Sequence, residues 1–391
     1  MLFLDLLQRH IKTGVLHVHL PDGDHVFGST GTVAHWHIVK PEAAGRIARD
    51  YEFELGQTYM EGAWHAGVTG IHALLEVLRS NFTVREPGFG LRTLLRVLQQ
   101  WNRVTSSYRN VHHHYDVPEP VFRRFLDQEM FYSCAYFPEA ALTLEQAQQA
   151  KARHIAGKLR VQPGDRILDI GCGWGSMVFY LAQHYDCEVT GITLSREQLA
   201  VAEREKQARG LKNVRFELAD YREHKGRYDR IVSIGMFEHV GKPFHLTYFR
   251  RVYEMLKQEG VALIHTIGRT SPPGVTNRWI QQYIFPGGST PSLSEMATAV
   301  EASRMRTTDV EVWRLHYANT LNHWFRRFQQ HRQDIAGLMN EEFCRMWEFY
   351  LAVCEAAFRW SDLVVFQFQL AKQHGPVPVT RDYLYRQAGP A

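Results

Sequence analysis

The chain has 391 residues, 45% of them hydrophobic and 22% charged, which excludes a disordered segment and leaves room for two domains around a sizeable core. Its 45 basic and 41 acidic residues give a formal charge of +4, well short of a nucleic-acid footprint, so no nucleic-acid partner is expected. Five scattered cysteines without CxxC or zinc spacing, with no signal peptide, fit a reducing cytoplasm and no structural metal.

Residues 1–105 read as a separate small unit. "GVLHVHLPDG" alternates like a strand and turns at Pro21-Asp22-Gly23, and "VAHWHIV" is a second strand. "IHALLEVLRSNF" and "LRTLLRVLQQW" carry apolar residues at helical spacing, with "REPGFG" breaking between them. This unit holds no recognisable catalytic set, and a scaffold or interaction domain is the expected role. Its two helices set leucines and valines beside Arg79, Arg92 and Arg96. A membrane-surface face and internal packing both explain that pattern.

From about residue 160 the rhythm becomes strand, helix, strand. "RILDIGC", "EVTGITL", "VRFELAD", "RIVSIGM" and "VALIHTI" are strands one to five of the second domain, 106–391. Ser195 caps the helix "REQLAVAEREKQAR", Gln198 completes a capping box, and Gly210 stops the helix. Such alternation predicts an α/β fold with a parallel, doubly wound sheet, with "VEVWRL" and "LVVFQFQLA" as strands six and seven. The stretches 270–295 and 318–360 are then insertions, the second helical and rich in aromatics such as Trp324, Trp347, Tyr350 and Phe358. It reads equally as a cap walling off an apolar cavity and as plain core. No apolar run approaches the roughly 20 residues of a membrane-spanning helix, so any lipid contact must be peripheral.

"LDIGCGWGS" places Gly171, Gly173 and Gly175 at alternate positions after a buried strand, with Asp169 and Cys172 in the same turn. In a doubly wound sheet this turn lies at the carboxyl edge, where ligands bind. The spacing is GxGxG, and no Walker lysine follows. That disfavours NAD and ATP and points to S-adenosylmethionine (SAM). Strand two ends in "GITLSREQ", offering Thr193, Leu194, Ser195 and Gln198 where a ribose would lie. Strand three ends in "LADYRE", offering Asp220 to the adenine amine and Tyr221 as an aromatic face. Strand four ends in "FEHVG", which sets Glu238 beside His239.

Eight ordered motifs, "FYSCAYF", "DIGCGWGS", "GITLSREQ", "DRIVSIGMFEHVG", "IHTIG", "WIQQYIFPGG", "HYANTLNHWFRRF" and "LAVCEAAFR", resemble the cyclopropane-fatty-acyl-phospholipid and mycolic acid cyclopropane synthases. "FELGQTYMEGAW" resembles the N-terminal domain of the bacterial phospholipid enzyme. The resemblance implies a class I SAM-dependent methyltransferase fold with helical cap insertions and a small N-terminal α+β domain that meets lipid. It implies SAM held by Tyr132, Ser133, the Gly171–Gly175 loop, Thr193 to Gln198, Tyr221 and Arg222. It further implies a bicarbonate held by Glu238, His265, Tyr317 and the backbones of Cys134 and Ile267. Cys354 matches a cysteine sometimes designated active in the family, though its mid-helix setting reads as an inert thiol. The family usually has a Gly-Asn turn after HYD; here "HHHYDVPEP" has Pro118 and Pro120 instead. That departure bears on contacts at the lipid or SAM entrance. His112 to His114 diverge as neighbours must, so metal binding there is not expected.

The implied reaction turns a cis alkene of an unsaturated phospholipid into a cyclopropane. Methyl transfer leaves a carbocation that water would quench, so the site must be dry, and ring closure needs a base. A homodimer is expected from the resemblance alone; a cytoplasmic enzyme visiting the inner face of the membrane is expected from the cysteines, the lack of a spanning segment and the lipid substrate that the resemblance implies. A lipid methyltransferase ending in a methyl branch, a methylene or a methylated polyene would use the same cation, and the sequence does not separate the two.

Overall fold

Short, alternating strands near the N-terminus pair into a four-stranded sheet made of β1 (Gly14–Leu20), β2 (Gly23–Thr30), β3 (Val33–Ile38) and β4 (Trp64–His65), ordered β2-β1-β3-β4. The structure is a computed structural model that describes residues 2–82 and 117–385. The expected helix at 91–101 with Arg92 and Arg96, the "REPGFG" break, the boundary near 105 and His112 to His114 lie outside the described residues.

β2 went unread in the sequence because Phe27 is its one buried side chain, so no apolar period marks it. Period-two alternation in β1 and β3 sends Leu16, Val18, Ala34, Trp36 and Ile38 to the core. The parallel register pairs His17 with His35 and His19 with His37 on the opposite face. Helix Gly70–Asn81 buries Ile71, Leu74, Leu75, Val77 and Leu78. Of the two readings of this helix, internal packing is the one observed.

The second sheet contains β5 (Asp165–Ile170), β6 (Cys187–Thr193), β7 (Val214–Leu218), β8 (Tyr228–Ile234), β9 (Leu256–Arg269), β10 (Arg306–Trp313) and β11 (Leu363–Ala371), ordered β10-β11-β9-β8-β5-β6-β7. All seven expected strands form. The sheet is mixed, however, where a parallel one was expected: β11 runs antiparallel to both β9 and β10. The cause lies in the aromatic insertion. The chain leaves β10 at the carboxyl edge, forms helices His316–Gln330 and Glu341–Trp360, and re-enters at that same edge, where Leu363 pairs with Arg269. A strand entering there must run backwards.

Of the insertion's two readings, core packing is observed. Trp324, Phe328, Trp347, Phe349, Tyr350 and Phe358 are buried in one cluster with Trp36 and Trp64 of the N-terminal unit and with Phe122 and Phe125. The cap is therefore core, and it locks the N-terminal unit onto the carboxyl edge of the large sheet. Gly56, within "FELGQTYMEGAW", permits that approach: a Cβ there would lie 2.6 Å from Trp279 Nε1 and 2.7 Å from Phe349. Burying each such aromatic stabilises the interface by about 1.5–3 kcal/mol.

Candidate active site

The loop after β5 begins at Gly171 (φ +81°) and turns again at Gly173 (φ +56°), both in the left-handed region that favours glycine. A Cβ on Gly171 would strike Met236 at 2.6 Å, whereas one on Gly173 would meet nothing within 4 Å, because Gly173 faces the open cleft. Helix Ser176–His184 starts directly behind, with Gly175 at its N-cap. Unsatisfied N–H groups at such a start favour an anionic ligand group.

Tyr132, Ser133, Asp169, Gly171, Cys172, Gly173, Thr193, Leu194, Gln198, Asp220, Tyr221 and Arg222 all line one cleft at the ends of β5, β6 and β7. Gly175 and Ser195 stand behind its wall and shape it. Ser195 Oγ accepts the Gln198 N–H at 3.2 Å, as expected of an N-cap. The capping box itself is corrected: the Gln198 side chain accepts from Thr193 Oγ1 at 3.0 Å and does not turn back to Ser195. The Thr193 hydroxyl also accepts the Ser195 N–H at 3.1 Å, and this bond holds the strand end against the helix start. Asp220 receives three hydrogen bonds from Arg222: from its backbone N–H (2.8 Å), Nε (2.8 Å) and Nη2 (2.6 Å). A carboxylate has about four acceptor sites, so Arg222 leaves Asp220 little capacity for an adenine amine.

The cleft tests well against SAM. Asp169 is buried with Oδ1 unpartnered, and burial pushes its carboxyl up to about 7 against the opposing charge of Lys151. Such an orphaned acceptor on the wall suits the ammonium of an aminocarboxypropyl arm. Lys151 is fully buried, donates to Ser133 Oγ at 2.8 Å and stands 3.8 Å over the Phe131 ring. Burial pulls its amine down to about 7. The sequence reading missed Lys151, because it looks like any exposed lysine in "QAQQAKARHI". It also missed Met130, Trp174 and Met236 on the cleft wall. His239, singled out in the sequence only as the neighbour of Glu238, lines the cleft as well, and burial lowers its imidazole to about 4.

Glu238 lies in a short 3-10 turn, Phe237–His239, just after β8. Its Oε1 accepts the Ile267 N–H at 2.6 Å, and its Oε2 is buried without a partner. Burial raises the carboxyl to about 7. The structure thus commits to Glu238 the Ile267 N–H that the resemblance reserved for bicarbonate. His265, two residues before Ile267 and on the same face of β9, is buried with Nδ1 3.1 Å from Gln367 Nε2. Burial, then the charges of Lys151 and Lys158, hold this imidazole far below its ordinary value.

Tyr317 opens helix His316–Gln330 and is buried against Phe358 at 4.9 Å. Burial drives its phenol far up; Tyr132, Cys134, Glu238 and Cys354 are near enough to act on it electrostatically. Cys134 is buried, donates to the Ala135 carbonyl at 3.3 Å and stays a thiol because burial raises it. Cys354 is half-buried on helix Glu341–Trp360 and is pushed up to about 12.

The proline departure acquires a role. Pro118 caps helix Glu119–Phe125, whose Glu119 binds Arg123 at 2.6 Å and Arg204 at 2.8 Å, and the Glu119 N–H reaches Glu197 at 3.1 Å. This entry segment is tied to the helix that follows β6, next to the cleft.

Comparison with known proteins agrees with this geometry. The family described as mycolic acid cyclopropane synthetase matches residues 102–368. The cyclopropane-fatty-acyl-phospholipid synthase of Escherichia coli K12 is 38% identical over 339 residues, covering 84% of this chain and 86% of that protein. A probable fatty acid methyltransferase of Pseudomonas putida is 39% identical over 289 residues, covering 71% and 73%. The crystal structure of the mycolic acid cyclopropane synthase CmaA1 complexed with SAH and CTAB superposes with a TM-score of 0.65 at 35% identity, covering 67% of this chain and 97% of that one. With its seven-stranded sheet and its glycine-lined cleft, the chain is a SAM-dependent methyltransferase of the mycolic acid cyclopropane synthetase family.

Proposed function

We propose that this chain adds a one-carbon unit from SAM across the cis double bond of an unsaturated acyl chain in membrane phospholipid and closes it to a cyclopropane. The observation that carries the reading is Glu238: a buried carboxylate with one oxygen fixed by Ile267 and the other uncommitted, on the turn that adjoins the cleft residues Met236 and His239. When bound, SAM supplies an electrophilic methyl on a sulfonium, and bicarbonate supplies a small base.

The chain's own residues do the remaining work. The Gly171–Gly173 loop and Asp169 hold the donor's arm, with Tyr132 and Ser133 across the cleft. Holding alkene and methyl together replaces a bimolecular encounter, an advantage of about 7–11 kcal/mol when geometry is good. The Tyr317 ring offers a π face to the developing carbocation, while Trp324 and Phe358 beside it exclude water. Glu238 Oε2, His265, Tyr317 and the Cys134 backbone would hold the bicarbonate. The Ile267 N–H contributes through Glu238, which it fixes. Keeping Glu238 itself back from the cation avoids trapping that cation as an ester.

Residues 1–105 are proposed as a lipid-interaction domain that makes peripheral membrane contact, and the working form as a homodimer. Val26, Val33, Val39 and Val68, four of the exposed large apolar side chains, belong to this unit. Among the described residues no helix is long and apolar enough to cross a membrane. The test is incubation with SAM and cis-monounsaturated phospholipid vesicles, followed by mass spectrometry of the fatty acids. A gain of CH2 with loss of the alkene supports ring closure. A gain of CH2 with the alkene retained would replace it with a branching methyltransferase.

A further inference from the structure

The four-stranded sheet carries a feature that the methyl-transfer chemistry does not use. Its outer face bears His17 and His19 on β1, His35 and His37 on β3, and His65 on β4. The register places His17 beside His35, His19 beside His37, and His37 beside His65. The rings stack: the centroids of His17 and His35 are 4.8 Å apart, those of His19 and His37 4.1 Å, and those of His37 and His65 4.6 Å. Within this ladder His19, His35 and His37 each turn one ring nitrogen inward, and the three nitrogens lie within 4.8 Å of one another.

We propose that His19, His35 and His37 form a binding site for a divalent transition metal of the zinc, nickel or copper class, with Asp24 orienting His19. Three imidazoles are the ligand set those borderline-soft ions take. In tetrahedral geometry, metal–nitrogen bonds of about 2.0–2.1 Å put ligand nitrogens about 3.3 Å apart. His19 Nε2 and His35 Nδ1 already stand 3.0 Å apart; His37, stacked on His19 at 4.1 Å and 10°, joins them by turning its ring out of that stack so that its in-plane lone pair meets the same point. The tautomers are favourable too. His19 Nδ1 lies 2.9 Å from Asp24 Oδ1, so that nitrogen carries the proton and Nε2 keeps its lone pair. A carboxylate behind the imidazole is the usual support of a metal-bound histidine. His35 Nδ1 now donates to His19 Nε2; on coordination its proton moves to His35 Nε2, which leaves the ring neutral and the nitrogens facing the ion free of hydrogen.

The fold adds two arguments. Alternation along β1 and β3 puts all four of their histidines on one face and none in the core. The three rings are half-buried, so the face is rigid yet open to an entering ion. Gly67 (φ +58°) lets its loop close over the ladder, since a Cβ there would lie 2.7 Å from His37 Nε2. The site is on the N-terminal unit, apart from the SAM cleft, and does not depend on the reading of that cleft.

The full-length chain is loaded with zinc chloride, dialysed against a weak chelator and assayed for bound metal, alongside His19→Ala/His37→Ala and Asp24→Asn. The wild type is expected to retain about one zinc per chain. The double variant should lose it, and Asp24→Asn should weaken retention by about tenfold or more. SAM binding and far-ultraviolet circular dichroism should be unchanged in both variants, which shows that they fold. Replacing His112 to His114 should not alter the zinc retained. Equal retention by wild type and the double variant, or loss on replacing the triplet alone, overturns the proposal. So does a double variant that keeps zinc but loses binding to anionic vesicles below pH 6, which would make the ladder a proton-dependent lipid contact.

Discussion

In the large sheet His265 is sealed between Trp313 and Gln367, whereas in the small sheet His19, His35 and His37 stack on a half-exposed face. Beside the cleft, apolar bulk surrounds three ionisable groups and shifts them towards their neutral forms: Glu238 and Asp169 rise to about 7, and Lys151 falls to about 7. The small sheet leaves its rings to one another and to water. A dry group with one unfilled valence suits a reaction in which water is the competitor; an open row of lone pairs suits capture of an ion. On the roles proposed above, one residue type would serve two chemistries, set apart by the layer of aromatic helices that covers one sheet's edge and leaves the other's histidine face half-exposed.

The sharpest way to break this division is Glu238→Gln. The amide keeps an acceptor for the Ile267 N–H and removes the charge, so folding and SAM affinity should hold while product formation falls at least about 100-fold, as when a positioned acid–base group is lost. His19→Ala should leave the rate unchanged. Product formation assayed on vesicles checks both. A reduced rate in His19→Ala, or a normal one in Glu238→Gln, would put the chemistry on the wrong sheet.

Much of the large sheet was legible because each strand end carried its own chemistry. The GxGxG turn, "GITLSREQ", "LADYRE" and "FEHVG" fall at the ends of successive strands, and the structure draws all four to one cleft, the last through His239 and Val240. What stayed hidden was whatever depended on burial or on chain reversal. Lys151 has no local mark of being buried, and the direction of β11 is set by where the cap returns the chain. β2 lacked an apolar period, and with only two strands in view the histidines of β1 and β3 read as mere alternation. The spent donor of Ile267 was likewise invisible, since it needs the Glu238 carboxylate to cross from β8 to β9.

A second test uses pH to measure how dry the large sheet is. Glu238 has its ordinary value near 4.5 when unfolded and about 7 when folded. Below pH 4.5 both states are protonated and nothing is lost. As pH rises to 7 the unfolded chain releases the proton more readily, so stability falls, and the loss is complete above 7. Glu238→Gln escapes it and should be more stable than wild type at pH 8 by about 3 kcal/mol, with the difference vanishing near pH 4.5. Denaturant titrations at both pH values decide it, and a gap that persists at low pH would point to a packing effect.

A smaller effect is expected at Lys151, which holds Ser133 Oγ on the cleft wall from behind. Lys151→Met keeps much of the bulk and removes one hydrogen bond, so the Kd for SAM should rise about 3- to 10-fold, the range of about 0.7–1.4 kcal/mol typical of a single hydrogen bond. Calorimetry with SAM checks this. An unchanged Kd would mean that Ser133 finds its place without help.

The smallest effect concerns the two cysteines. A reactive thiol needs a lowered pKa, from a cation, a helix N-terminus or an exposed polar setting. Cys354 has none of these at close range: it sits mid-helix, Arg79 acts on it only weakly against burial, and its thiol is pushed up to about 12. Cys134 gives its S–H to the Ala135 carbonyl and lies in the core, so what it offers the candidate site is backbone, which substitution does not remove. Cys354→Ser and Cys134→Ala should therefore each keep turnover within about twofold of wild type, with Cys134→Ala losing about 1 kcal/mol of stability to the small void it leaves. Rate measurements before and after treatment with a thiol-alkylating reagent separate the alternatives. If alkylation abolishes turnover in wild type and spares Cys354→Ser, the reagent acts by filling space beside Tyr317; if Cys354→Ser is itself inactive, a thiolate takes part and the dry-pocket account of this sheet is incomplete.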